Sequence, residues 1–464
     1  MPSDVKQFKA KLGHLKSVRT NFDNLWNDVQ ELVWPDGYQF LGKDSPGERK
    51  TQHVFEMTAA MGLEKFASAM ESFLVPRFMR WHTLRASSND LMREIAVKRF
   101  FEETTDTLFK ARAAPVARFP GQMHENLKSL GAYGNACLFV DEPPSGFGLR
   151  YRHIPIGKVW VDTDYQNNTD TIYYEYKLTA RAAAQKWPHA VPPRAQKAVD
   201  SGRDFQENNY LHVVQPNPDR DPERMDARGA EFVGIDIDLD GNSIIPTEDG
   251  EQESAFFEMP YIYSRYTVNP SEAYGRGPAM LVLPDIQTLQ EMEKTFLRSG
   301  HKVADPPLLI TDDGRLGRGN RKIGLTPGWL NFGGLDTNGR PRVAPLQTGA
   351  RLDLTSEMMN QKREVINSAF LVDLFDLLIR DRVEMTATEV LERAKEKGQL
   401  VTPVVGRQQN EMLGPMIVRE LGILQRQGRI PPLPPQLAEA QGEFEIEYES
   451  TATRLQSANE VAAY

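Results

Sequence analysis

One stretch of the chain, residues 274–307, constrains the fold more than any other because it reads as a helix with both ends fixed. It opens with a turn containing glycine and proline, Tyr274–Ala279, and it closes with the pair Pro306-Pro307. Between them, apolar residues recur at the spacing of one helix face. Those residues are Ile286, Leu289, Met292 and Phe296. Since glycine and proline interrupt regular helices, the sequence predicts a helix that begins and ends at set positions.

Cys137 is the only cysteine among the 464 residues, and it lies in the apolar run Ala136–Val140. A single cysteine can form neither an internal disulfide nor a cysteine-based metal cluster, which fits a reducing, cytoplasmic setting. The N-terminus is polar, and the sequence contains neither a signal-peptide core nor an apolar run that could span a bilayer. We therefore expect a soluble protein, and the length predicts several structural parts.

The formal net charge of -9 argues against a protein that wraps nucleic acid. Tight binding to phosphates needs clustered Lys and Arg that release counterions. Acidity does not exclude a DNA partner, however, because a channel through which a polyanion slides is better lined by carboxylates than by cations that hold phosphates.

Apolar residues at helical spacing predict four helices in the first part of the chain. They are Leu15–Val33, His53–Val75, Leu91–Lys110 and Met123–Leu130. The first stops at Trp34-Pro35, and the fourth is predicted to end at Gly131, because glycine is the residue that most often follows a helix.

Short runs rich in aromatic and β-branched residues follow and predict strands. They are Ala136–Val140, Leu149–Ile154, Val159–Val161, Thr171–Leu178, Leu211–Val214, Phe232–Leu239 and Tyr261–Tyr266. One helix interrupts them at Ala180–Trp187, with Thr179 as its expected N-cap. Helices followed by a mainly antiparallel sheet indicate an α+β fold.

The second half of the chain again contains both predicted helices and a predicted β-rich segment. A segment dense in Gly and Pro from Val303 to Gly349 predicts a small β-rich module, and Leu352–Phe370 predicts a helix with Asp353 as candidate cap. A capping box at Thr386–Glu389 starts a further helix that runs to about Gly428, with kinks at Pro403 and Pro415.

The C-terminal part begins with the run Pro431–Pro435, which predicts a rigid stop after that helix. Glu443–Glu449 alternates acidic and apolar residues, which predicts an edge or half-buried strand.

The run Asp236–Gly241 has the carboxylates and the glycine of the first half of a calcium-binding loop. The closing acid of such a loop should be residue 247, which is Thr247. The same run alternates apolar and polar residues, and Asp240-Gly241 is a favoured hairpin turn. We prefer the hairpin.

Motifs for catalysis are absent from the sequence: there is no phosphate-cradling loop with Lys and Ser/Thr, no His-Glu-x-x-His and no Gly-x-Ser-x-Gly. His53 and Glu56 share a predicted helix face without a third ligand, so a surface or interface role is favoured over zinc. We predict no catalytic residue, no metal and no cofactor.

The motifs at both ends of the fixed helix, and the order helix, β module, helix, resemble the portal proteins of short-tailed bacteriophages, also called head-to-tail connectors. The resemblance is carried most strongly by eight residues that have a structural and not a catalytic role. These are Tyr274, Gly275, Arg276, Gly277, Pro278, Asp305, Pro306 and Pro307.

The resemblance implies an α+β portal-type protomer with seven parts. They are an α+β wing (1–272), a descending stem helix (273–302), a β-rich clip (303–350), a returning stem helix (351–370), a tunnel loop (371–385), a long kinked wing helix (386–430) and a Pro-rich stop with the start of a crown region (431–464). Family members commonly continue into a helical crown at this point, so we expect the chain to lack one or to be truncated.

The same resemblance gives candidate site residues. The tunnel loop would place Asp373, Asp376, Arg380, Asp381 and Arg382 at or near the channel constriction. On the preceding helix, Lys362 and Arg363 would line the channel or pair with a neighbouring subunit. A basic loop of the clip, with Arg315, Arg318, Arg321 and Lys322, would face DNA or acidic patches of a docked protein, or be solvated.

The family further implies a homo-oligomeric ring, a dodecamer, at one capsid vertex of the virion, after synthesis in the host cytoplasm. Its implied partners are double-stranded DNA bound without sequence specificity, the terminase, tail adaptor proteins, and the major capsid and scaffolding proteins, with no membrane. Two alternatives remain: another virion component such as a tail adaptor, and an enzyme whose site is built from dispersed residues.

Overall fold

The computed structural model describes most of the chain and places helices and strands in the predicted alternation. It describes residues 5–41, 47–52, 54–144, 146–224, 226–270, 272–310, 335, 340–341, 343–345, 352–372, 403–439 and 444–449. Mixed helices and antiparallel sheets confirm the α+β fold class.

The helices differ widely in length, and the longest are the first helix and the one after the glycine-proline turn. They are α1 (Val5–Leu32), α2 (Thr58–Leu74), α3 (Ile95–Ala113), α4 (Phe119–Tyr133), α5 (Ala180–Lys186), α6 (Pro193–Asp200), α7 (Pro278–Leu281), α8 (Leu283–Ala304), α9 (Leu352–Ala369), α10 (Gly414–Arg426) and α11 (Pro435–Glu439).

The described strands all pair antiparallel. They are β1 (His82–Ala86), β2 (Asn135–Asp141), β3 (Arg150–His153), β4 (Val159–Thr163), β5 (Thr169–Thr179), β6 (Glu207–Pro216), β7 (Phe232–Asp238), β8 (Ser243–Ile245), β9 (Ser254–Phe256), β10 (Tyr261–Arg265), β11 (Leu308–Ile310), β12 (Val343–Pro345) and β13 (Phe444–Tyr448).

Two larger sheets form the body. A six-stranded sheet has the order β4-β5-β6-β7-β8 with β9 beside β7, and a three-stranded sheet has the order β10-β2-β3. Two pairs stand apart from them: β1 with β13, and β11 with β12. The strand predicted at Glu443–Glu449 is thus present, and β11 and β12 are the described strands of the predicted β-rich module.

Side chains of the six-stranded sheet alternate between two faces, and each face has a different neighbour. Tyr173 of β5 and Leu211 of β6 pack on Phe8 and Leu12 of α1 in a separate apolar cluster. Tyr174, next along β5, points to the opposite face and belongs to the main core. The sheet therefore lies between the N-terminal part of α1 and the main core, which the C-terminal part of α1 joins through Trp26 and Val29.

Helix α4 runs past its predicted end, so the assignment of Gly131 as the terminating residue is wrong. The helix ends at Tyr133, and Gly134 closes it with a left-handed φ of 71°. Gly131 is a packing residue: a Cβ there would lie 2.7 Å from the ring of Phe66 on α2. Absence of a side chain lets α2 and α4 approach closely.

The prediction that the second helix begins at His53 is also wrong, because α2 begins at Thr58. The side chain of Glu56 accepts a hydrogen bond from the backbone nitrogen of Thr58 at 3.1 Å. Gln290 of α8 accepts from the backbone nitrogens of Phe55 and Glu56 at 2.7 and 3.1 Å. These side-chain contacts replace the helical bonds that would have extended α2.

The helix is irregular directly before Pro415, where the sequence predicts a kink. Residues 403–408 are helical, and a π-helical turn at Gln409–Leu413 joins them to α10. Proline has no N–H to donate to the carbonyl four residues earlier, and an extra residue in the turn accommodates that loss. Gly428, with φ of 66°, follows the end of α10, before the proline run.

The hairpin reading of Asp236–Gly241 is confirmed, since β7 pairs with β8 across this turn. The Asp238 carboxylate accepts hydrogen bonds from the backbone nitrogens of Asp240 and Gly241 at 3.1 and 2.8 Å. Asp236 instead pairs with Lys186 of α5. The Asp240 carboxylate accepts a hydrogen bond from the Asn209 nitrogen at 2.8 Å, so the three aspartates of the motif make different local contacts.

Candidate functional site

The Tyr274–Pro278 signature forms a tight turn that crosses the end of α4, and the two backbones are in direct contact there. A Cβ on Gly275 would lie 2.6 Å from the Gly134 carbonyl oxygen, and a Cβ on Gly277 would lie 2.6 Å from the Gly134 nitrogen. Gly134 is equally restricted, because its own Cβ would lie 2.3 Å from the Gly277 nitrogen. Only glycine permits such an approach.

Asn135, directly after Gly134, holds this crossing with its buried side-chain amide. The amide nitrogen donates to the carbonyls of Tyr133 and Gly275 at 2.8 and 3.0 Å. The amide oxygen accepts from the Gly275 nitrogen and from the Tyr263 hydroxyl, both at 2.7 Å. Every hydrogen-bond donor and acceptor of this buried amide thus has a partner, which makes the crossing rigid.

Tyr274 fastens the turn to the first helix. Its ring packs on Phe22 and Trp26 of α1, with centroid distances of 5.4 and 5.5 Å. Its hydroxyl accepts a hydrogen bond from the Val161 nitrogen at 3.2 Å. Burial raises the pKa of this hydroxyl above its usual range, so Tyr274 is a neutral anchor at physiological pH.

Arg276 lies at the outer side of the same turn. Its guanidinium pairs with Glu272 at 2.7 Å and stands over the ring of Phe22 at 5.5 Å. Its backbone nitrogen donates to the Thr267 carbonyl at 2.8 Å. The motif residues therefore fix a turn, and none of these contacts resembles catalytic machinery.

The exit of α8 also matches its predicted position. The helix ends at Ala304, Asp305 is its C-cap, and the backbone nitrogen of Asp305 donates to the His301 carbonyl at 2.8 Å. Pro306 and Pro307 follow, and β11 begins directly after them at Leu308. Proline cannot continue the helix, so the pair turns the chain from α8 into β11.

Helices α8 and α9 pack side by side and carry two ion pairs between them. Lys362 pairs with Asp285 at 2.6 Å, and Arg363 contacts Glu293 at 3.3 Å. Ile286 and Leu289 of α8 are buried, as the sequence pattern predicts. The two helices on either side of the predicted β module are therefore joined directly.

Arg363 also contacts a second carboxylate, which belongs to a residue far away in the sequence. Its Nε donates to Glu56 at 3.0 Å, although the two residues are 307 positions apart. Burial alone would raise the pKa of Glu56, but hydrogen bonds from Arg363 and Thr58 and the charge of Arg363 lower it overall. Lys362 and Arg363, two of the channel candidates, thus each form an ion pair with a carboxylate of the same protomer.

The kinked helix is fastened to the body by charged side chains. Arg112 of α3 and Glu420 of α10 form an ion pair, with side chains 3% and 0% exposed. The hydroxyl of Tyr151 donates to the same carboxylate at 2.5 Å. In the π-helical turn, Glu411 pairs with Arg265 of β10 at 3.1 Å.

Several predicted site residues lie outside the described residues. These are Asp373, Asp376, Arg380, Asp381 and Arg382 of the proposed tunnel loop and Arg315, Arg318, Arg321 and Lys322 of the proposed clip loop.

Sequence reasoning missed Gly134, Asn135 and Gln290, and it considered Glu56 only together with His53 and not as a partner of Arg363. A Gly-Asn pair after an apolar helix is a detectable signal for a helix end, but its contact with the turn 140 residues later is not.

Among the residues that the structure describes, no helix is both long and apolar enough to cross a bilayer. Within the same residues, no group of three or more His, Cys, Asp or Glu side chains is arranged to hold a metal ion.

Comparison with known proteins gives one family over nearly the whole length. The family described as "Bacteriophage head to tail connecting protein" matches residues 5–463. The "Probable portal protein" of Bordetella phage BPP-1 is 26% identical over 464 residues, covering 98% of this chain and 80% of that protein. The "Portal protein" of Salmonella phage epsilon15 is 26% identical over 466 residues, with the same shares.

Proposed function

Because this chain belongs to the bacteriophage head to tail connecting proteins, which match it over residues 5–463, we propose that its copies form a ring around a channel for DNA. Connecting the phage head to the tail is its role, and the resemblance noted in the sequence is confirmed. The finer assignments of subunit number, channel residues and docking partners are the proposal.

The observation that carries the proposal is the joined pair α8 and α9 with β11 and β12 between them in sequence. We propose that the helix that leaves the body is the descending stem, that the β module is the clip, and that the second helix is the returning stem. The pairs Lys362–Asp285 and Arg363–Glu293 brace this unit at its base. The glycine crossing at Gly134 fixes where it leaves the body.

We propose that residues 371–385 form the tunnel loop that narrows the channel, with Asp373 and Asp376 facing the DNA. Carboxylates near a sliding polyanion repel it weakly and so prevent tight binding. The basic clip residues around Arg318 would contact DNA or an acidic surface of a docked protein. Lys362 and Arg363 would support the loop from the stem, since both are paired inside the protomer.

The ring would be a dodecamer at one capsid vertex of the virion. It would bind the terminase during packaging and the tail proteins afterwards. Energy for DNA movement would come from the docked motor, so we propose no catalytic role for this chain. Purified protein should show no DNA-stimulated nucleotide hydrolysis, and robust turnover abolished by a point substitution in this chain would contradict that assignment.

Electron microscopy of the purified protein, with its mass measured in solution, tests the ring directly. Closed rings of many copies with a central hole are expected.

A further inference from the structure

A cleft of about 500 Å³ lies where the two larger sheets meet, on the face of the six-stranded sheet that points away from α1. Arg150 and Arg152, two residues apart on β3, form one wall. Tyr174 and Tyr176 of β5 form the opposite wall, with their rings stacked at 4.8 Å. We refer to this space, with its two arginines, as the cationic cleft.

Two of the three acidic residues that line the cationic cleft are paired with other cations, and the third, the exposed Glu142, forms no ion pair with a described residue. Asp236 pairs with Lys186 at 3.1 Å and accepts from the Tyr176 hydroxyl at 3.1 Å. Asp141 lies 3.7 Å from Arg419. Arg150 and Arg152, by contrast, form no ion pair with any residue in the described part of the chain. Since Lys158 and Lys177 also line the cleft without an ion pair to a described residue, unpaired cations outnumber the one unpaired carboxylate, and Arg150 and Arg152 can receive an incoming anion.

Arg152 is held ready for such an anion. Its guanidinium stands over the rings of Phe139 and Tyr174, at 5.1 and 5.7 Å from their centroids. A guanidinium stacked on aromatic rings keeps its N–H groups free in the ring plane, where they suit a carboxylate. The arrangement restricts the side chain before the partner arrives, which reduces the entropy lost on binding.

Aromatic faces in the cationic cleft are already covered, so they favour a carboxylate over a nucleobase. Tyr174 stacks on Tyr176, and Lys186 stands 4.9 Å from the ring of Tyr176. Phe139 contacts Arg152 and packs on Tyr261. A base would have to displace one of these contacts before it stacked.

A matching acidic surface lies on the other face of the same sheet. Asp219, Asp249 and Glu251 are exposed and form no ion pair with a described residue. We call these three residues the acidic tip. The turn that carries two of them is ordered: Thr247 donates to the Glu251 carbonyl at 2.8 Å, and Gly250 donates to the Thr247 carbonyl at 3.0 Å.

Asp219 and Glu251 line a cavity together with Phe8 of α1 and Tyr173 of β5. Tyr173 and Tyr174 point to opposite faces of the sheet because they are neighbours on one strand. Asp219 and Glu251 of the acidic tip are therefore on the α1 face, and the cationic cleft is on the opposite face. Two complementary surfaces on opposite faces are what a head-to-tail contact needs, and such contacts close into rings by rotation.

We propose that the acidic tip of one copy of this chain binds the cationic cleft of the next copy in the ring. This inference rests on the ring proposed above. Arg150 and Arg152 receive the carboxylates of Asp219 and Glu251, and the contact repeats around the ring.

Charge reversal tests this pairing. The double variants R150E/R152E and D219K/E251K should each raise the concentration at which half of the chains are in rings by about a hundredfold, because like charges then face each other. Combining all four substitutions should restore assembly to near the wild-type concentration. R93E/K98E, at exposed positions just before and within the first turn of α3, is the matched control and should assemble normally. Native mass spectrometry gives the ring fraction.

Cross-linking provides a second measurement that does not depend on how the charge variants fold. Chains with R152C and chains with E251C are mixed and treated with a short bifunctional maleimide, while buried Cys137 stays unreactive. Cross-linked dimers are expected in the mixture and not with either variant alone.

The outcomes separate the two proposals. Normal ring assembly by R150E/R152E would overturn this contact and leave the ring proposal intact. The same conclusion would follow if the double variants lost their rings and the fourfold variant did not recover them. A wild-type chain that never associates would overturn the ring and, with it, this contact.

Discussion

Gly134 and Gly277 approach so closely that their backbones leave no room for a side chain: a Cβ on Gly277 would lie 2.6 Å from the Gly134 nitrogen. The first glycine ends α4 with φ of 71°, and the second precedes α7 and α8. Their contact joins the body of the protein to the helix on which the proposed channel is built.

Replacing Gly277 with alanine should therefore destabilise the fold. The added methyl group forces the turn away from α4, at a cost of about 1–3 kcal/mol in the free energy of unfolding. Chemical denaturation measures the change. G13A is the control: a Cβ there meets no atom within 4 Å, so alanine inside α1 should stabilise by up to about 1 kcal/mol. If G277A and G13A changed the free energy of unfolding equally, the close contact between Gly277 and Gly134 would be contradicted.

Removing the guanidinium of Arg363 should destabilise the pairing of α9 with α8. R363M leaves Glu56 and Glu293, both mostly buried, without their shared partner. We expect a loss of about 1–3 kcal/mol in the free energy of unfolding at pH 7. K294M, which removes an exposed pair with Glu291, should change it by less than about 0.5 kcal/mol.

The same pair predicts a pH dependence. The folded-state pKa of Glu56 is below its usual value, so the stabilisation is complete above about pH 4.5 and is lost as the pH falls through the folded pKa. The difference in unfolding free energy between wild type and R363M should therefore shrink as the pH falls below 4.5. A difference that stays constant from pH 7 to pH 3 would show that Glu56 is not the partner that matters.

The buried pair between Arg112 and Glu420 should hold the kinked helix in place. E420Q leaves the arginine without a charged partner in a site where both side chains are almost fully buried, and we expect a loss of about 3–5 kcal/mol in the free energy of unfolding. Replacing both residues with apolar ones, R112M/E420L, should recover most of it. Hydrogen exchange at α10 reports where the opening occurs.

Channel residues are tested by function. Replacing Asp373 and Asp376 with lysine should leave rings intact and slow DNA passage or trap DNA, because cations hold the phosphates. Packaging and ejection assays give the readout, and E102K/D204K, at two exposed positions of the body, matches the charge change. Unchanged packaging and ejection in the tunnel variant would remove these aspartates from the channel.

Much of the fold could be predicted because it depends on local patterns. Spacing of apolar residues identified α8, and alternation with an Asp-Gly turn identified the β7–β8 hairpin. Errors arose where a distant residue decides a local feature. Gly131 continues a helix because Phe66 packs on it, and α2 starts late because Gln290 holds the chain before it.

The candidate site shows the same division. Signature residues Tyr274 to Pro278 could be chosen from sequence, but their partners Gly134 and Asn135 could not, because no local pattern encodes a contact between residues 140 positions apart. Charges of Lys362 and Arg363 could be noted, whereas their partners Asp285 and Glu56 are fixed only by helix packing. The tunnel-loop and clip-loop residues stay predictions.

The central claim is the ring, and electron microscopy of the purified protein with a mass measurement in solution tests it most directly. Closed rings of many copies, near a dodecamer, with a central hole wide enough for duplex DNA, are expected. A compact monomer or dimer at every concentration, both alone and with capsid and scaffolding proteins, would contradict it.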